Sequence, residues 1–202
     1  MTAFPTTIRV LVADDDTAAR ETLVELLTAL GYMVVAEVST GEDAIRQAAQ
    51  YIPDAVLLDV HMPGGSNGVE SAQAITEQTP GIAVVLFTGD LTLSISSDDA
   101  LRSSAVALLP KPVPSATLDA TLRLAVARAH DLLAARTEAL HAKQQLEARK
   151  LIERAKGILM RRTGSSEQEA YRIMQRTSQD KSVPMVNVAR AVLDSEPGLK
   201  AS

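Results

Sequence analysis

The chain has 202 residues, 46% of them apolar, 22% charged and only 2% aromatic, with no cysteine. That balance is a globular protein with an aliphatic core, and it excludes disulfides and thiolate metal sites. His61, His130 and His141 show no metal-ligand spacing. No apolar run follows a basic start, and no uncharged stretch approaches the ~18 residues of a membrane span. The expectation is a cytoplasmic protein with no signal peptide and no membrane partner. The net charge of −5 is unevenly spread: residues 1–128 carry 7 Lys/Arg against 16 Asp/Glu, and residues 149–202 carry 11 against 6. An acidic front and a basic back point to two tasks, the second suited to a polyanion.

Ile8–Ala13 is a β-branched apolar run ending in Asp14-Asp15-Asp16, which predicts a buried strand with acids at its carboxyl end. Thr17–Leu30 has helical spacing and stops at Gly31. Met33–Val38 is a second strand, and Glu42–Tyr51 a helix ended by Pro53. Ala55–Asp59 is a third strand that closes on one carboxylate before the break at Pro63-Gly64-Gly65. Then come a helix over Val69–Gln78, a strand over Ile82–Thr88, a Ser-rich helix over Leu93–Ser103 and a strand over Val106–Leu109 that runs into Pro110-Lys111-Pro112. From Ser115 the pattern is helical again. Strands alternating with helices predict an α/β, flavodoxin-like, doubly wound parallel sheet of five strands.

In such a sheet the strand ends converge at one edge, and here they carry Asp14/Asp15, Asp59, Thr88 and Lys111. Clustered carboxylates repel one another and bind a hard divalent cation through oxygen, as Mg²⁺ does with one or two carboxylates and several waters. Asp59 is then the carboxylate nucleophile for phosphoryl transfer, Lys111 the cation that neutralises phosphoryl oxygens, and Thr88 a hydroxyl donor to the same group. Aspartyl phosphotransferases of the haloacid dehalogenase type need a second Asp two residues beyond the nucleophile; that position is His61, so no separate turnover activity is expected.

Val12-Ala13-Asp14-Asp15-Asp16, Leu57-Leu58-Asp59-Val60-His61-Met62-Pro63, Leu86-Phe87-Thr88-Gly89 and Leu109-Pro110-Lys111-Pro112 together resemble the receiver domain of two-component response regulators. The resemblance implies that Asp59 accepts a phosphoryl group from a sensor histidine kinase. It implies Asp14, Asp15, Asp59 and the His61 backbone carbonyl as Mg²⁺ ligands, and a cis Lys111–Pro112 bond. Three departures stand out: Leu108 at the usual aromatic switch position, Ser103-Ser104-Ala105 in place of a Gly-Ala turn, and an extra residue in Gly64–Gly68. An aromatic rotamer switch cannot operate through Leu108.

Between Ser115 and Lys150 there is no Gly or Pro, and Ala125, Leu132, Ala139 and Leu146 recur every seven residues beside Val126, Leu133 and Leu140. This predicts a long helix whose seam serves either a homodimer through residues 125–146 or packing against its own chain. Beyond it, Leu151–Met160, Ser165–Ser178 and Pro184–Leu193 predict a small all-α three-helix bundle. Ser165/Ser166 with Glu169 is read as a capping box, and Ala170, Ile173, Met174 and Thr177 as an apolar side. Arg149, Ile152, Glu153, Ala155–Met160, Ala170-Tyr171 and Val188-Ala189 resemble the ANTAR module of transcription antitermination regulators. That family binds RNA stem-loops near terminators, with RNA polymerase as an indirect partner. Arg149, Arg154, Lys156, Gly157 and Arg176 are the expected RNA contacts. Gly157, in mid-helix where glycine costs about 1 kcal/mol, suggests close approach of another helix or of RNA. Tyr171 is read as core rather than as a stacking surface.

The whole chain is therefore expected to comprise a receiver domain (1–125), a helical linker (126–148) and an RNA-binding domain (149–202), acting as a phosphorylation-controlled antiterminator. The rivals are a DNA-binding transcription factor using Arg172 and Arg176, and a protein-interaction adaptor.

Overall fold

The computed structural model describes residues 7–62, 68–89, 105 and 107–196. The expected helix over Leu93–Ser103, most of the loops after Asp59 and after Thr88, and Val106 lie outside the described residues. The chain divides into two compact units, Met1–Ala135 and Arg136–Ser202.

In the first unit β1 (Arg9–Ala13), β2 (Met33–Val38), β3 (Ala55–Asp59), β4 (Ala83–Thr88) and β5 (Ala107–Pro110) form one parallel sheet in the order β2-β1-β3-β4-β5. The helices are α1 (Thr17–Ala29), α2 (Gly41–Tyr51), α3 (Gly68–Gln78) and the first part of α4 (Ser115–Thr163). The expected flavodoxin-like class is what the chain adopts. Side chains alternate across a strand, so each buried run feeds two cores. Val10, Val12, Leu57, Val85 and Phe87 pack with Leu23 and Leu27 of α1 and Leu118, Leu122 and Val126 of α4. Leu11, Val56, Leu58, Val84 and Leu86 pack with Ala44 and Ala48 of α2 and Ala72 and Ile75 of α3. Burial on both faces is why β3 and β4 read as unbroken apolar runs.

Local chemistry sets the helix starts. Asp16 caps α1, its carboxylate accepting from the Ala18 and Ala19 amides. The third acid of the Asp14-Asp15-Asp16 run is therefore used by the helix. Thr40 caps α2 in the same way, and Ile52 ends it in the left-handed conformation at φ 46°. Tyr32 donates to the Asp119 carboxylate at 2.7 Å, which ties the turn before β2 to the start of α4.

The second unit contains the remainder of α4, α5 (Glu167–Asp180) and α6 (Met185–Asp194). The long helix and the first bundle helix, expected as separate elements, are one continuous helix from Ser115 to Thr163 that stops before Gly164 at φ 66°. α5 begins with the expected capping box, formed by Ser166 and Glu169. Ala155, Met174, Val188 and Ala189 form the small core. Ser178 closes the turn between α5 and α6 by donating to the Val183 carbonyl at 2.6 Å. Two expectations fail here. Ile173 is 42% exposed and Tyr171 43% exposed, because Ala170 and Met174 alone point from α5 into the core. The seam residues divide as well. Ala125 and Val126 are buried in the first unit, whereas Leu132, Leu140 and Leu146 are each more than half exposed.

Candidate functional site

Asp59 is the last residue of β3 and pairs with Phe87, the residue before Thr88. Asp14 follows β1 directly, and its amide donates to the Val38 carbonyl at 3.1 Å. Lys111 follows β5, with its amide on the Thr88 carbonyl at 2.7 Å. A parallel sheet thus brings four sequence-distant residues to one edge. Asp14, Asp59 and Thr88 are buried and Asp15 is exposed. The Lys111–Pro112 bond is cis.

The Lys111 ammonium lies 2.6 Å from Oδ2 of Asp14 and 2.8 Å from Oδ1 of Asp59. The other oxygen of Asp59 accepts the His61 backbone N–H at 3.0 Å, and Oδ1 of Asp14 accepts the Asp16 N–H at 3.1 Å. Burial pushes the Asp59 carboxyl up, and the nearby Asp14 charge pushes the same way. The Lys111 hydrogen bond and charge, with the His61 amide, pull against them without cancelling the rise. Burial pulls the Lys111 ammonium down, but its bonds to Asp14 and Asp59 outweigh that and hold it above the usual lysine range. Carboxylate oxygens of Asp14, Asp15 and Asp59 lie within 4.8 Å of one another. Three carboxylates against one ammonium leave two negative charges uncompensated, which a hard divalent cation on oxygen ligands would balance.

Gly68, at the start of α3, belongs to the surroundings of Asp59 although nothing in its local sequence marks it. A Cβ there would clash with the Asp59 carbonyl oxygen and lie 2.8 Å from Cα of Val60. Any side chain would push on the backbone that carries Asp59. A glycine opening a helix after a Gly-rich loop does not announce this, because the clash is with residues eight and nine positions earlier.

The residues expected to contact RNA are arranged differently. Arg149, Arg154 and Arg176 are exposed and form no ion pair among the described residues. Lys156 is only 8% exposed, its ammonium 2.8 Å from Glu153 and 2.7 Å from Glu167. It fastens α4 to the first turn of α5 and offers no free cation. Among the described residues no other helix comes within 4 Å of where a Gly157 Cβ would lie, which would meet only the Arg161 guanidinium, at 3.8 Å. The helix-approach explanation for this glycine therefore fails among the described residues, and there is room for a side chain at this point of α4.

A response regulator receiver domain model matches residues 10–123, and an ANTAR domain model matches residues 140–193. The transcriptional regulatory protein PdtaR of Mycobacterium tuberculosis is 34% identical over 187 residues, spanning 93% of this chain and 90% of that protein. A protein-glutamate methylesterase/protein-glutamine glutaminase of Nitrosospira multiformis is 36% identical over 107 residues, but these are 52% of this chain and 30% of that enzyme. Among solved structures, the signal receiver domain of a modulated diguanylate cyclase from Desulfovibrio desulfuricans G20 aligns with a TM-score of 0.57 at 28% identity, over 61% of this chain and 96% of that one. Receiver geometry at the sheet edge, the two matched models in tandem and the near full-length likeness agree: the chain belongs to the two-component response regulators in which a receiver domain is followed by an ANTAR domain.

Proposed function

We propose that phosphoryl transfer from a sensor histidine kinase to Asp59 controls binding of RNA stem-loops by the C-terminal unit, and that the outcome is transcription antitermination. Residues 1–125 act as receiver, 126–148 as connecting helix and 149–202 as RNA-binding domain, in the cytoplasm and with no turnover activity of its own. The observation that carries this is the arrangement at Asp59: a buried carboxylate with its pKa raised, one ammonium on Oδ1, and two further carboxylates beside it. Such a site is poised for a phosphoryl group and a divalent cation together. The Asp59 carboxylate forms the new P–O bond as the P–N bond to the donor imidazole breaks. Lys111 then faces the phosphoryl oxygens, and Thr88, buried at the end of β4, is the hydroxyl that responds. Asp14, Asp15, Asp59 and the His61 carbonyl would hold Mg²⁺, whose chemistry is to offset charge on the phosphoryl oxygens. A mostly apolar cleft of about 460 Å³ runs from Asp14 and Lys111 along Ala18, Thr22 and Leu26, and gives the donor protein a surface to meet.

Of the residues expected to meet RNA, Arg149, Arg154 and Arg176 are exposed cations without an ion pair among the described residues, and Gly157 leaves room on α4 for a phosphate backbone. Lys156 acts through its pairing with Glu167. The exposed Leu132, Leu140 and Leu146 would be covered in a homodimer through residues 125–146. RNA polymerase is affected only through the RNA. Leu108 is 41% exposed on β5, so the response to phosphorylation passes without an aromatic switch.

Arg172 and Arg176 stand one turn apart on the exposed side of α5 and would suit duplex DNA as well. The test is therefore binding of the full chain to paired RNA hairpins and to matched duplex DNA, with and without Mg²⁺ and beryllofluoride. Hairpin binding strengthened by beryllofluoride in wild type, and unchanged by it in Asp59→Asn, is the expected result. A preference for duplex DNA, or strengthening that persists in Asp59→Asn, overturns the proposal.

A further inference from the structure

Tyr171 is the only aromatic side chain after Phe87, and it is spent on the surface. Its neighbours Ala170 and Met174 are fully buried, so the core of the second unit is complete without it. On α5, Glu167, Tyr171 and Gln175 follow one another at four-residue spacing, with Gln168 and Arg172 beside them, and side chains so spaced share a helix face. These five and Lys156 of α4 line a recess of about 410 Å³. That volume is in the ~300–1,000 Å³ range of small-molecule sites.

The chemistry of the walls selects the guest. One ammonium, Lys156, lies 2.7 Å from Glu167 and 2.8 Å from Glu153, and Arg172 in the same lining brings these four charges to balance. The wall left to a ligand is then an aromatic face, two primary amides and one guanidinium. A phosphate alone has no use for the ring, and an apolar guest has none for the amides. A nucleobase uses all of them: its face stacks on an aromatic ring, its edge both donates and accepts, and its own phosphate follows. Unpaired loop bases are what proteins read in structured RNA, by stacking on aromatic or guanidinium planes.

We propose that this recess is a base pocket. It takes one unpaired nucleobase from the loop of an RNA stem-loop, stacked on Tyr171, with Gln168 and Gln175 meeting the base edge and Arg172 the phosphate of that nucleotide. The Lys156–Glu167 pair is a positioning device that sets the wall. The inference rests on the RNA-binding function proposed above, and it adds where a base is read.

The test uses the full chain with Mg²⁺ and beryllofluoride, and hairpins in which each loop position in turn is made abasic. Tyr171→Ala is expected to weaken binding to the intact hairpin about ten-fold or more, the effect of losing one stacked base, while Tyr171→Phe stays within about three-fold of wild type. At one loop position the abasic hairpin should bind wild type and Tyr171→Ala equally. Since Tyr171 is outside the core, both variants should unfold at the wild-type temperature. Tyr171→Ala binding every hairpin like wild type overturns the pocket and leaves the RNA-binding function standing. So does an equal loss on intact and all abasic hairpins, which would make the ring a general contact. Wild type that binds none of the hairpins removes the RNA-binding function, and the pocket with it.

Discussion

Each unit holds one lysine between two carboxylates, and the two lysines do opposite things. Lys111 lies 2.6 and 2.8 Å from Asp14 and Asp59; Lys156 lies 2.8 and 2.7 Å from Glu153 and Glu167. The distances hardly differ. What differs is which partner is out of water. Around Lys111 the carboxylates are buried, with side chains 3% and 6% exposed, and the lysine is the more open member at 27%. Around Lys156 the lysine is buried and the glutamates are 55% and 66% exposed. Desolvated carboxylates held by short side chains cannot escape one another's charge, so the first cluster stays short of positive charge. Exposed glutamates on long side chains keep their water and cost little, so the second cluster is a fastening. Ion-pair geometry alone does not separate the two clusters; the burial of the anions does.

Removing each lysine gives the sharpest contrast. Lys111→Met should cost on the order of 3 kcal/mol in metal-free buffer, because it leaves two buried carboxylates facing each other. Millimolar Mg²⁺ should recover more stability in this variant than in wild type, as read from urea unfolding midpoints. If Mg²⁺ stabilises neither protein, the charge deficit at Asp14, Asp15 and Asp59 does not bind a cation. Gly157→Ala should act in the other direction and stabilise the fold by about 1 kcal/mol, since the open face accepts a methyl group. The same variant should bind RNA hairpins more weakly; unchanged binding would show that RNA does not use this face.

The pH dependence of the two clusters should have opposite signs. Burial raises the Asp59 pKa above the ordinary carboxylate value, so the folded state holds its proton more tightly than the unfolded chain does. The Asp59 contribution then falls as pH climbs from about 3.8 through that raised value. Metal-free Asp59→Asn should therefore be more stable than wild type at neutral pH, a difference that shrinks toward pH 4 in thermal melts. Glu167 is held below its ordinary range by Lys156, so its contribution is present above about pH 4.5 and fades as pH falls through the lowered value. The smallest effect should belong to Lys156→Met, where the exposed glutamates return to water. A melting temperature near wild type is expected, and a fall as large as that of Lys111→Met would make the two clusters equivalent after all.

Much of the first unit was legible in the sequence because its signals are short-range and repeated. Strands buried on both faces must be apolar throughout, the helices between them carry their own caps and stops, and parallel strands must end at a common edge. Asp14, Asp59, Thr88 and Lys111 could be placed together on that ground before any contact was known. The second unit carries weaker local signals. Helical spacing allows Ala170, Ile173 and Met174 to share a buried stripe, yet two of them suffice for so narrow a core, and Ile173 and Tyr171 are left outside. Lys156 stands in a run of basic residues with one local partner, Glu153, three positions before it, and its second partner, Glu167, lies eleven residues on and across a turn. The sequence by itself determined the fold class and the set of groups at the strand ends, because period, turn chemistry and residue type act within a few positions, and its motifs carried the resemblance to the family. Tertiary structure alone decided that α4 runs unbroken to Thr163, that Gly68 backs against Asp59, and that Lys156 is paired with glutamates and held out of solvent. Those outcomes depend on which surfaces lose water when distant segments meet.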